Sequence, residues 1–214
     1  MEKAVLMSIQ PKWCELIASG KKTVEVRKTK PKAETPFKVY IYCTISGGAK
    51  GDRLVPSEIA CGKVIGEFVC NSIQEYESEF VDDDCREAIA SIDRDEDGDI
   101  TGFYEWTNEM DIPYIKTDFF KKCCVGYKDL KKYIGLGFVT FYGWHISDLV
   151  IYDKPKELSE FYNLCYSGCD NCKYQSLDYS YAGGKDFICT ISNRKPMKRP
   201  PQSWCYVEER ETNG

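Results

Sequence analysis

Gly20-Lys21-Lys22-Thr23-Val24-Glu25-Val26-Arg27 contains the pattern G-x-K-x-x-E-x-R, and the reading of the fold turns on it. Ahead of it, Pro11 opens a helical pattern in which Trp13, Leu16 and Ile17 share one apolar face, and Gly20 supplies the stop. From Thr23 to Arg27 the chain alternates as a strand, with Val24 and Val26 on one face and Thr23, Glu25 and Arg27 on the other. Lys22 therefore sits at a helix-to-strand junction. A carboxylate placed between two cations orients both and leaves a positive, hydrogen-bonding pocket. The plain alternative is an exposed strand carrying an ordinary Glu–Arg pair.

Working outward, residues 4–9 (AVLMSI) read as a short buried strand, and residues 37–45, rich in aromatic and β-branched side chains, as another. Residues 28–36, with prolines at 31 and 36, form a basic loop between them. Residues 61–70 and 137–150 complete the strand pattern, and 127–134 forms a short helix with Leu130 and Ile134 paired. In the stretch 75–118, Cys85, Ala88, Ile89 and Ile92 keep helical spacing, which predicts a helical excursion. From Tyr162 onward Cys, Gly, Tyr, Asn and Pro replace apolar periodicity, which marks an appendage.

A chain of 214 residues with 43% hydrophobic and 29% charged residues is one medium domain, or one with a small appendage, and excludes disordered and collagenous classes. No apolar run reaches the roughly 18–20 residues a spanning helix needs, and the start lacks a signal-peptide core, so a cytoplasmic, membrane-free protein is expected. The net charge of −5 is unevenly spread: residues 75–118 hold sixteen acidic against three basic residues, whereas residues 1–40 hold nine basic against four acidic. A local basic segment, not the sum, decides whether nucleic acid is a partner. Lys21, Lys22, Arg27, Lys28, Lys30 and Lys32 make such a segment, with Trp13, Tyr40 and Tyr42 as candidate stacking faces.

Twelve cysteines in a reducing compartment suggest buried thiols plus a metal site. Cys169-x-x-Cys172 is a knuckle that turns two thiolates toward one cation, and Cys189 and Cys205 complete a tetrahedral zinc set, with Cys165 as the alternative ligand. So short a Cys-rich segment orders itself more readily around a metal than around a core. Cysteines 14, 43, 61, 70, 85, 123 and 124 read as small buried hydrophobes. Asp93, Asp95, Asp97 and Gly98 begin like a calcium loop, but position twelve is Tyr104, so a solvated acidic loop is preferred over calcium at 93–105.

The junction motif, its place after SIQPKWCELIASG and the following strand KVYIYCT resemble the ASCH family of the PUA-like superfamily, and YGWHISDLVIYDKP is similar to that fold's last core strand. The resemblance implies an α+β fold: a small β-barrel with surrounding helices over residues 1–156, interrupted by a helical acidic insertion at about 75–124. Residues 157–214 then form a Cys-rich, zinc-ribbon or knuckle-like extension; the tail RPPQSWCYVEE resembles the end of phage and prophage members. It also implies RNA or nucleotide binding in a cleft lined by Lys22, Glu25 and Arg27, with Ser8, Lys12, Trp13, Tyr42, Thr44 and His145 inferred as further walls.

Some ASCH-like proteins are amidohydrolases on N4-acetylcytidine that use a lysine, a threonine and a glutamate. The lysine matches Lys22, but Glu25 stands where their strand carries threonine, so a hydrolase on a modified nucleoside or on RNA, with Lys22 and Glu25 as the catalytic pair, is the alternative reading. A third is a phage-type interaction protein whose acidic insertion inhibits a host factor.

Overall fold

The computed structural model describes residues 4–45, 60–80, 87–97, 100–107, 118–135, 139–164, 175–178, 186–189 and 196–209. They form eleven strands, three α-helices and one 3-10 turn at Leu158–Glu160. No helix among them is long and apolar enough to cross a membrane. The chain divides into two compact units, and two long strands, β4 (Val64–Phe80) and β7 (Val139–Lys156), run through both.

The first unit comprises residues 1–14, 37–68 and 150–214. Its centre is β1 (Ala4–Ile9), buried along its whole length, which pairs in parallel with β3 (Phe37–Cys43) and antiparallel with β11 (Trp204–Glu209). β11 pairs in turn with β8 (Phe161–Leu164), and a separate hairpin joins β9 (Gln175–Asp178) to β10 (Asp186–Cys189). Leu6, Tyr40, Tyr42, Val64, Phe161, Met197 and Val207 form the core, with the Tyr40 and Phe161 rings edge to face at 4.8 Å. Gly66 has a sequence-level reason: a Cβ there would lie 2.4 Å from the Val150 carbonyl, so only glycine lets β7 pass.

The second unit comprises residues 15–36 and 69–149. β2 (Val24–Arg27) pairs antiparallel with β7, and β4 continues into β5 (Glu87–Arg94) and β6 (Ile100–Thr107) as an antiparallel meander. Helices α2 (Asp118–Cys123) and α3 (Tyr127–Ile134) supply Phe119, Cys123, Leu130 and Ile134 to a core completed by Val24, Val26, Ile89 and Phe141. Tyr76 stacks on Phe141 at 5.3 Å within it. The remaining helix, α1 (Pro11–Ala18), links β1 to β2, and this crossover is what allows β1 and β3 to lie parallel.

Three expectations are corrected. Among the described residues of the acidic stretch, β4, β5 and β6 are strands where helix was expected: Ile89 and Ile92 are both buried on opposite faces of β5, and a strand buried on two sides satisfies the same three-residue spacing as a helix. The strand path β2–β7–β4–β3–β1–β11–β8 does not join its ends among the described residues, so the sheet is open and not a closed barrel. After residue 156, where an appendage was expected, the described strands β8 and β11 join the first unit's sheet, since they pair with one another and β11 pairs with β1. The calcium-like stretch lies in the β5–β6 hairpin, where the Asp97 amide donates to Asp95 Oδ1 at 3.1 Å.

Candidate functional site

The helix-to-strand junction is built by backbone geometry. Gly20, at φ 71°, takes the left-handed conformation that ends α1, with its amide on the Ile17 carbonyl at 2.8 Å. The Lys22 amide then returns to the Leu16 carbonyl at 2.9 Å, and Thr23 donates to the Lys122 carbonyl at 2.8 Å. These bonds lay residues 22–23 against the C-terminal end of α2. There the Lys22 ammonium donates to the Cys123 carbonyl at 2.5 Å, so a cation neutralises carbonyls that the short helix leaves unpaired.

Glu25 closes the group. Its Oε1 lies 3.0 Å from Arg27 Nη2, and its Oε2 lies 3.2 Å from Lys22 Nζ, an ion pair without an aligned hydrogen bond. The side chains of Lys22, Glu25 and Arg27 are 1%, 8% and 7% exposed. Two cations and one carboxylate are therefore buried together. Removing such charges from water is expensive, and attraction repays it only when geometry is tight.

The β2–β7 ladder decides which residues face this triad. Trp144, fully buried, stands opposite Glu25, and Tyr142 stands opposite Arg27. His145 stands opposite Val24, on the other face of β2, with its pKa lowered by burial and then by Lys122. Tyr133, in the last turn of α3, feels the charges of Arg27 and Glu25, while burial pushes its pKa up. The Lys28 ammonium lies 5.4 Å over the Tyr133 ring, and Lys30 lies 5.1 Å over Tyr142.

The other expected walls belong to the first unit. Ser8 pairs with Tyr42 in the β1–β3 register and donates its hydroxyl to the Pro201 carbonyl at 2.7 Å. Tyr42 is buried in that unit's core, and burial raises its pKa. Lys12 is exposed over the half-buried Trp13 ring at 4.3 Å, and Thr44 donates its amide to the Ile9 carbonyl at 2.8 Å.

Of the expected zinc ligands, Cys165, Cys169 and Cys172 lie outside the described residues. Cys189 ends β10 opposite Gln175. Cys205 packs against the first unit's core, and burial pushes its thiol up to about 12. Cysteines 14, 43, 70 and 123 are buried and 61 and 124 half-buried, while Cys85 lies outside the described residues. Burial raises the Cys123 thiol to about 11.

Tyr133, Tyr142 and Trp144 are the residues that sequence reasoning missed. For Tyr142 and Trp144 the signal was available: once 137–150 is a strand opposite 23–27, alternation puts one residue in two on the Glu25 face. Tyr133 carried no such signal, since its helix was read only through Leu130 and Ile134. The Cys123 carbonyl, being backbone, could not be read from side-chain types.

Residues 7–109 match the family model described as "ASCH domain". Among solved structures, the chain is similar to the crystal structure of ASCH from Zymomonas mobilis, at 16% identity and a TM-score of 0.41, covering 72% of this chain and 73% of that one. Two point variants of the same Zymomonas mobilis protein match at the same identity and TM-score, covering 76% and 74% of their chains. Comparison with curated proteins finds no match.

Proposed function

We propose that the chain binds RNA or a nucleotide, with the Lys22–Glu25–Arg27 triad at the heart of the site. ASCH domains are PUA-like modules that generally bind RNA, and the 7–109 match covers all three residues. The observation that carries the reading is the triad itself: three residues spaced as G-x-K-x-x-E-x-R, buried together within a basic segment. A phosphate is the anion best matched to a guanidinium. Glu25 is the orienting group, fixing both cations. Fluorescence titration with short single-stranded RNAs and with free nucleotides tests it. Saturable binding that weakens with salt is expected, and no binding in low salt refutes it.

A second reading rests on one distance. Lys22 Nζ and Glu25 Oε2 are 3.2 Å apart, within reach for proton exchange in a hydrolase acting on a modified nucleoside or on RNA. Incubation with N4-acetylcytidine and with labelled RNA separates the two: unchanged substrate supports binding alone.

For the Cys-rich segment, zinc held by Cys169, Cys172 and Cys189 remains our reading. We place Cys165 ahead of Cys205 as the fourth ligand, because the Cys205 side chain packs against the first unit's core. Such a zinc supplies structural cross-linking and no chemistry to the triad.

A further inference from the structure

The triad is too buried to be the surface a ligand first meets, and it ends outward in two tyrosines. Glu25 holds Arg27 at 3.0 Å, and the charges of both act on Tyr133. Tyr133 is 41% exposed, so its ring presents area to solvent. Tyr142, opposite Arg27 on β7, is half-buried and carries Lys30 at 5.1 Å. Lys28, at 5.4 Å from the Tyr133 ring, and Lys30 are both exposed.

We infer that Tyr133 and Tyr142, with Lys28 and Lys30, form a base-stacking platform for single-stranded RNA on the second unit, beside the buried Glu25–Arg27 pair. This rests on the RNA reading above and names the surface that carries it. Any base has a π-face, so the platform is tolerant of sequence, and the two ammonium groups beside the rings take the flanking phosphates. Glu75 marks the edge: it pairs with Lys30 at 3.3 Å and with Arg94 at 2.8 Å, and its charge repels a phosphate that strays toward β5.

The test uses the full chain and two fluorescently labelled probes, a short oligouridylate and an abasic ribose-phosphate oligomer of equal length. Tyr133→Leu and Tyr142→Leu are each expected to weaken oligouridylate binding about tenfold or more, and to leave the abasic oligomer within about twofold. Tyr133→Phe keeps the ring, folds without a change in volume, and is expected to retain most of the affinity. Lys28→Gln with Lys30→Gln is expected to lower the slope of log K against log salt by about 1.4, with about 0.7 from each single-strand phosphate lost. Wild-type binding that both leucine variants preserve overturns the platform and leaves RNA binding by another surface. Equal losses on the two probes also overturn it, because stacking cannot act on an oligomer without bases. A wild-type chain that binds neither probe overturns the RNA reading together with the platform.

Discussion

Replacing Glu25 by glutamine removes one charge from the buried triad with almost no change in shape. At the observed separations of 3.2 and 3.0 Å, each ion contact is worth about 5 kcal/mol at an effective dielectric of about 20. Much of this is offset by hydration that the ions regain on unfolding. Measured losses on removing one partner of a buried pair are about 3–5 kcal/mol, because the survivors are left uncompensated. Here the survivors are two cations, one of them pinned to the Cys123 carbonyl. For a chain of this length about 1 kcal/mol moves the melting temperature by roughly 2–4 °C, so Glu25→Gln should lower it by about 6–20 °C. Thermal and urea unfolding followed by circular dichroism reads this directly. The double variant Lys22→Met with Glu25→Gln should recover part of the loss, giving a coupling of about 1 kcal/mol or more. Exposed pairs are screened by salt and buried ones are not, so the loss should persist in about 1 M salt. A loss below about 0.5 kcal/mol, or one that disappears in salt, would refute the reasoning, since it would mean that the carboxylate is solvated.

His145 is the chain's single histidine, and its lowered pKa makes the sign of its contribution definite. The folded state disfavours the proton relative to an unfolded value of 6.5, so the contribution to stability is lost as pH falls through 6.5 toward the lower folded value. The histidine ring proton in an NMR titration should report a pKa under 6.5, and a value at or above it contradicts the burial described. Cys43 and Cys61, with Sγ atoms 3.7 Å apart, should be the pair that oxidised glutathione cross-links first, seen as a joined peptide in a non-reducing map; cross-links that skip this pair count against the β3–β4 geometry. Elemental analysis should find about one zinc per chain, lowered by Cys172→Ser and by Cys165→Ser but not by Cys205→Ala; metal-free protein sinks the zinc assignment, and zinc lost with Cys205→Ala reverses the choice of fourth ligand.

The junction from Pro11 to Arg27 was legible because its rules are local. Proline starts the helix, a glycine at positive φ ends it, and four residues of alternation orient Glu25 and Arg27. The partners of those residues were not legible, since they come from residues 122–145 through the β2–β7 register and the end of α2. His145 shows why: a strand seen alone gives two faces but not which one meets Glu25, and a shift of one residue exchanges His145 for Trp144. The acidic segment failed for another reason. Ile89 and Ile92 are buried on both sides of a strand, a pattern that periodicity cannot separate from a helix. The last strand failed because composition was read without pairing: β11 follows a stretch of glycine, cysteine and proline, yet Tyr206 and Val207 are buried beside β1.

Photo-cross-linking with 4-thiouridine RNA, followed by peptide mapping, tests the central claim most directly, because it reports where the nucleic acid lies regardless of affinity. The account predicts adducts on the peptides that contain Tyr133 and Tyr142, lost in Tyr133→Leu and Tyr142→Leu and suppressed by unlabelled RNA. Adducts confined to other peptides, or none under conditions in which RNA is bound, would contradict it.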